Sequence, residues 1–213
     1  MDIGKAFTFV FDDQNWIAKI LIGGIVLLIP IVNFAVFGYM ARVIKNVVDG
    51  LDRPLPDWGD FGDHFVRGLT LFLIGVVYML PVIFLVCLLA MTGALAEESR
   101  AMSTVEMLAL CLNCLAGLWG FLVALVMPAA TIRYALTGEF ASAFQFGQIF
   151  GLISANLGNY ILVLVLSWLA SLLGGLGVIA CGIGVLFTSF WAYLVQGHLY
   201  GQFYRASQQA PAT

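Results

Sequence analysis

The sequence predicts an all-α polytopic membrane helix bundle of about six membrane segments, with two interfacial amphipathic helices, and three observations carry that expectation. Of 213 residues, 62% are hydrophobic and 10% charged, against roughly 25% charged in an ordinary soluble chain. Apolar runs near residues 68–92, 107–132 and 157–197 reach or exceed the roughly 20 residues a helix needs to cross about 30 Å of hydrocarbon. The alternating segments of about 10 residues that would mark a closed β-barrel are missing.

The start, residues 1–16, places Phe7, Phe9, Val10 and Phe11 beside Asp12, Asp13 and Gln14. That suits a short interfacial segment anchored by Trp16; a frayed N-terminus is the alternative. Lys5 stands with Asp2, Asp12 and Asp13, and no small-residue cleavage site follows the apolar run, so no cleaved signal peptide is expected. From residue 17 to 48 the apolar run is long for one span. Pro30 and Asn33 interrupt it, and proline disfavours helix in the residue before it.

Charge chooses between one kinked span and a hairpin with arms of about 16–29 and 33–49. Four simple spans would scatter the basic residues evenly over the two faces. If Pro30-Ile-Val-Asn33 and Gly174-Gly-Leu-Gly177 are both turns, Lys5, Lys19, Arg42, Lys45, Arg53, Arg67, Arg133 and Arg205 share one face and Arg100 alone takes the other. That bias makes the shared face cytoplasmic, with both termini on it, in an inner or plasma membrane. An arm of about 14 residues at about 1.5 Å each spans only about 21 Å, so the first pair is either a full hairpin or a re-entrant one.

Asp49-Gly50 should close the second arm, glycine supplying the left-handed cap. Pro54 and Pro56 then force an extended turn, and Asp57 is a good N-cap for an amphipathic helix presenting Trp58, Phe61, Phe65 and Leu69. Residues 68–91 form a span with Pro81 inside, and residues 92–104, carrying Glu97, Glu98 and Arg100, an outer loop. Ser103 or Thr104 caps the next helix, with Glu106 in its first turn; it kinks at Pro128 and ends at Thr137-Gly138. Residues 139–154 repeat the amphipathic theme through Phe140, Phe144, Phe146, Ile149, Phe150 and Ile153. Arms of about 157–174 and 177–204 follow, leaving residues 205–213 as a disordered tail.

The expected organisation is one integral-membrane domain over residues 1–204. Within it, residues 33–92 and 104–174 read as a weak pseudo-repeat in the same orientation, as in parallel-repeat transporters, or as a coincidence of hairpin grammar.

The run Gly-Tyr-Met-Ala-Arg-Val-Ile-Lys-Asn-Val-Val-Asp-Gly from Gly38, followed by Pro54-Leu-Pro-Asp-Trp58 and Gly68-Leu-Thr-Leu-Phe-Leu-Ile-Gly75, resembles a bacterial and archaeal membrane family known as domain of unknown function 4013. Ile29-Pro-Ile-Val-Asn-Phe34 fits it too, so the resemblance covers most of the chain and is densest between residues 20 and 80. It implies a membrane protein and brings no functional residues with it.

Candidate chemistry is sparse. Cys111-Leu-Asn-Cys114 has the spacing of a redox or metal pair, but a zinc site wants about four ligands and no second pair exists. Small packed residues are the simpler reading, with Asn113 in an interhelical hydrogen bond. Cys87 and Cys181 also lie in apolar runs. His64, with Asp60 one turn away, and His198 fall near the cytoplasmic interface. Asp57, Asp60 and Asp63 could hold a metal, yet their spacing of three suits a solvated helix face. Asn33, Asn156, Asn159 and Gln196 sit where proline or glycine frees backbone groups. Gly23-Gly24, Gly117 with Gly120, and Gly174 to Gly184 should let helices approach closely.

Residues 68–96, 107–132 and 140–204 contain no Asp, Glu, Lys or Arg, which argues against the buried charges of ion-coupled transport. The net charge of −3 argues against nucleic acid. The expectation is therefore a non-enzymatic structural, assembly or interaction subunit, its partners the lipid bilayer and other membrane chains or itself. A transporter or channel for a neutral or lipidic molecule is the alternative, and a membrane-embedded lipid enzyme the weaker one. No residue is assigned a catalytic, cofactor-binding or metal role.

Overall fold

A computed structural model describes residues 1–96, 102–179 and 182–209. Among them there is no strand: the chain runs through α1 (Ile3–Thr8), α2 (Trp16–Leu28), α3 (Phe34–Val48), α4 (Phe61–Ala96), α5 (Met102–Thr137), α6 (Phe146–Ala155), α7 (Leu157–Gly175) and α8 (Gly184–Gln209). Short 3₁₀ segments at Phe9–Asp12, Trp58–Asp60, Phe140–Phe144 and Leu176–Ile179 link them. Two compact units result, one of Met1–Phe72 with Pro128–Thr213 and one of Leu73–Met127.

The first break falls where proline predicts it. Residues 29–33 leave helix, and Val32 N–H returns to Pro30 C=O at 2.8 Å across Ile31, whose φ is +72°, a γ-turn. The helix stops are equally local. Gly50 at φ +78° carries the paired bonds Gly50 N–H to Val47 C=O (3.1 Å) and Leu51 N–H to Asn46 C=O (3.1 Å), a Schellman cap. Gly138 at φ +73° closes α5 with one bond to Tyr134 C=O at 2.8 Å.

In the larger unit α8 is the hub, packed by α1, α2, α3 and α7. Glycines set its joints. A methyl group built on Gly201 would stand 2.6 Å from Val47 Cβ, and one on Gly197 3.1 Å from Met40 Cγ, so two glycines one turn apart form the groove that takes α3. The rings of Phe190 and Phe187 occupy the space beside Gly23 and Gly24 of α2, and Ala192 lies against Gly174 of α7. Between α3 and α4 the contact is reciprocal: a Cβ on Gly38 would collide with the carbonyl of His64, and one on Gly68 with the carbonyl of Phe34. Around these joints Phe9, Tyr39, Val43, Phe190, Leu194 and their neighbours form the core.

Three expectations are corrected here. The amphipathic segment after Asp57 is not a separate helix, because α4 continues unbroken from Phe61 to Ala96 through Gly68. Its aromatic side does not face away from the protein: Trp58 and Phe65 pack on the core, and Tyr39 stacks on Trp58 at 4.5 Å. The backbone approach at Gly38 and Gly68 brings α3 under that face and covers it. The last break begins at the expected Gly174-Gly-Leu-Gly177, since α7 ends at Gly175, but α8 starts only at Gly184 rather than near residue 177. At the other end α8 remains helical to Gln209, five residues into the stretch expected as tail.

Residues 140–155 form the Phe140–Phe144 segment and α6. Ile149 and Leu152 turn inward, while Phe146 and Phe150 are half exposed.

Trp58–Leu88, Met107–Thr137 and Leu157–Ile179 are long and apolar enough to cross a membrane. A count of about six would also need α2, α3 and α8; α2 has 13 residues and α3 has 15, and α8 is not among the helices that meet both tests. Along α2, Ile17, Leu21, Ile25 and Leu28 form an exposed apolar stripe opposite the buried Gly23, Gly24 and Val26.

In the smaller unit the α4 and α5 segments run antiparallel, tied by Trp119 Nε1–H to Tyr78 C=O at 2.8 Å. Phe84, Leu110 and Phe121 are 60% exposed or more. Gly117 and Gly120, expected at a close helix contact, have nothing within 4 Å of a built Cβ.

Candidate functional site

The densest polar construction surrounds residues 54–58, Pro-Leu-Pro-Asp-Trp. Such a strap starts with a deficit: neither proline nitrogen can donate, and an extended segment without a neighbouring strand leaves its carbonyls unpaired. Side chains from three helices supply the donors. Asn46 Nδ2 reaches Pro54 O at 2.9 Å, Lys19 Nζ reaches Leu55 O at 3.3 Å, Tyr39 Oη reaches Pro56 O at 2.6 Å and His64 Nε2 reaches Asp57 O at 2.9 Å. Four successive carbonyls are thus held by four side chains. Trp58 completes the clasp by donating its indole N–H to Lys19 O at 3.1 Å.

Two of these residues are more constrained still. A carbonyl can only accept, so His64 carries its proton on Nε2, and Nδ1 is left buried without a partner. Lys19, its side chain 9% exposed, also meets Asp13 Oδ2 at 2.8 Å and Asp57 Oδ1 at 2.9 Å, so three oxygens match its three N–H donors. Burial pushes the Asp13 carboxyl up, but the Lys19 hydrogen bond, the Asn15 backbone N–H and the Lys19 charge outweigh it and hold the group below its ordinary value.

The N-terminal segment docks rather than frays. Asp2 N–H donates to Gln202 Oε1 at 2.7 Å and Gln202 Nε2 donates to Asp2 O at 2.9 Å, while Gln202 Nε2 also meets His198 Nδ1 at 3.1 Å. His198 stacks on Phe9 at 4.3 Å. Further ion pairs join Lys5 to Asp12, Lys45 to Asp49, and Arg42 and Arg67 to Asp63. Arg205 reaches Val47 C=O at 3.4 Å. These partners sit before α2, at the end of α3 and at the start of α4, so the basic residues gather at one end of the larger unit's helices.

The sequence's candidate sites do not converge. Asp57 turns to Lys19, Asp63 to Arg42 and Arg67, and Asp60 is exposed. His64 and His198 belong to separate networks, and no group of three His, Cys, Asp or Glu is placed to hold a metal among the described residues. Cys87, Cys111 and Cys114 are exposed free thiols, and Cys181 lies outside the described residues. Asn113 donates to Ala109 O of its own helix at 2.8 Å, not between helices as expected. Asn156 caps α7 by accepting from Asn159 N–H at 3.4 Å, and Gln196 bonds Ser171 Oγ across α7 and α8 at 3.0 Å. Asn33 instead leaves its Oδ1 buried and unpartnered. Sequence reasoning missed Lys19, Tyr39 and Asn46 as a set. A lysine three residues into an apolar run was a signal, since buried charge demands an anionic partner.

Removing one clasp tests the strap. Tyr39→Phe keeps the ring and strips the donor from Pro56 O, so it should lower stability by about 1–2 kcal/mol, read as a lower thermal midpoint of the detergent-solubilised protein.

Glycine-seated helices, a polar end and apolar outer faces together define an all-helical bundle of membrane-like character. The chain belongs to the family described as Protein of unknown function (DUF4013), whose model matches residues 22–183. No curated protein and no solved structure matches it.

Proposed function

We propose that the protein is a non-enzymatic integral membrane subunit that packs against other membrane chains or itself, with both termini cytoplasmic. The observation that carries this reading is the exposed apolar surface of the long helices α4 and α5. In the most apolar windows of Trp58–Leu88 and Met107–Thr137 only 17% and 6% of the residues are buried inside the chain. Contiguous apolar surface on that scale in water drives association, whereas lipid or a neighbouring helix satisfies it. Gly117 and Gly120, open on α5, leave the backbone accessible to close approach by another helix. The division of labour supports the same reading: Lys19, Tyr39, Asn46 and His64 clasp the strap, and the paired carboxylates join helix ends.

Single-molecule photobleaching of the tagged protein in bilayers tests the assembly. Defined multimers, or a co-purifying membrane chain in mild detergent, are expected. A strictly monomeric, partnerless protein carrying a lipid-filled or water-filled cavity would favour transport instead. A cysteine at position 53 in a cysteine-free background should react with impermeant reagent from the cytoplasmic side only.

A further inference from the structure

Arg133 differs from the other cations of the larger unit. Lys5, Lys19, Arg42, Lys45 and Arg67 each have a carboxylate within 4.0 Å, and Arg53 and Arg205 are exposed to solvent. Arg133 is half-buried, and among the described residues no carboxylate lies within that distance. Its NH2 is held by the side-chain oxygens of Gln145 (3.1 Å) and Gln148, and its Nε is buried with no partner. A half-buried guanidinium held only by neutral amides retains its full charge and an unused donor.

That guanidinium lines a cleft of about 170 Å³ with Gln148, Leu152, Tyr204, Ser207 and Gln208. The volume is below the roughly 300 Å³ at which sites for whole small molecules begin, and suits one tetrahedral anionic group. Tyr204 is part of the wall. Guanidinium pairs with phosphate in charge-assisted bonds, and basic pockets between membrane helices take anionic headgroups.

We infer that the cleft between α5, α6 and α8 at Arg133 binds the phosphate of an anionic phospholipid. The lipid source rests on the membrane reading above; the phosphate chemistry does not.

The test is native mass spectrometry of the full chain released from detergent with phosphatidylglycerol or phosphatidylcholine, beside thermal melts with inorganic phosphate. Wild type should retain phosphatidylglycerol over phosphatidylcholine, Arg133→Gln should lose at least about tenfold of that retention, and Arg53→Gln should lose none. Arg133→Lys, which keeps the charge and gives up the planar fork, should fall between. Stabilisation by inorganic phosphate that matches the lipid's and vanishes in Arg133→Gln would uphold the phosphate site while assigning it to a soluble ligand and overturning the lipid assignment. Equal phosphatidylglycerol retention by wild type and a folded Arg133→Gln, or no preference of wild type for phosphatidylglycerol over phosphatidylcholine, would overturn the inference.

Discussion

Replacing Gly38 with valine should abolish the folded protein. A single methyl there already collides with the carbonyl of His64, and the reciprocal position, Gly68, sees the carbonyl of Phe34. Neither obstacle is a side chain that can rotate aside, so α3 and α4 must separate. Overpacking against movable neighbours costs about 1–3 kcal/mol, and against backbone about 3 kcal/mol or more is expected, comparable to much of a domain's net stability. Separation would also pull His64 away from Asp57 O and Tyr39 away from the strap. The readout is the monodisperse peak in size-exclusion chromatography of the detergent-solubilised protein: present in wild type, lost in Gly38→Val. Gly117→Ala is the counterpart. With nothing within 4 Å of its built Cβ, it should leave the monomer's fold intact or stabilise it, since alanine favours helix over glycine by about 1 kcal/mol.

Lys19→Met has the second-largest expected effect. Methionine preserves the stem's packing and removes the charge, stranding Asp13, whose side chain is 12% exposed, and stripping a donor from Leu55 O. Breaking one side of a fully buried pair costs about 3–5 kcal/mol. Asp57, at 84% exposure, rehydrates without penalty, which reduces the expected loss to about 2 kcal/mol. Adding Asp13→Asn should recover part of it, because the double variant leaves no uncompensated charge. Thermal midpoints of the four proteins give the coupling directly. Additive losses would mean that the two groups act independently.

The strap shows what the spacing of this chain's polar residues left open. Asp57, Asp60 and Asp63 look like a ligand set in one dimension, yet Asp57 ends at a lysine 38 positions earlier and Asp63 between two arginines. His64 looks poised beside Asp60, one turn before it, and instead holds the carbonyl of Asp57.

What the sequence by itself determined is what short-range physics controls. A proline at 30 breaks the first apolar run, glycines at 50 and 138 accept left-handed caps, and apolar composition makes every element a helix. Those outcomes depend on a residue and its immediate neighbours. Tertiary structure alone decided which glycines are contacts: Gly38, Gly68, Gly197 and Gly201 meet other helices, while Gly117 and Gly120 meet nothing. It also turned Trp58 and Phe65 inward and chose Lys19, Tyr39, Asn46 and His64 as the donors for one strap. A missing side chain permits close approach but does not name the partner, and an unpaired carbonyl demands a donor without saying from which helix it must come.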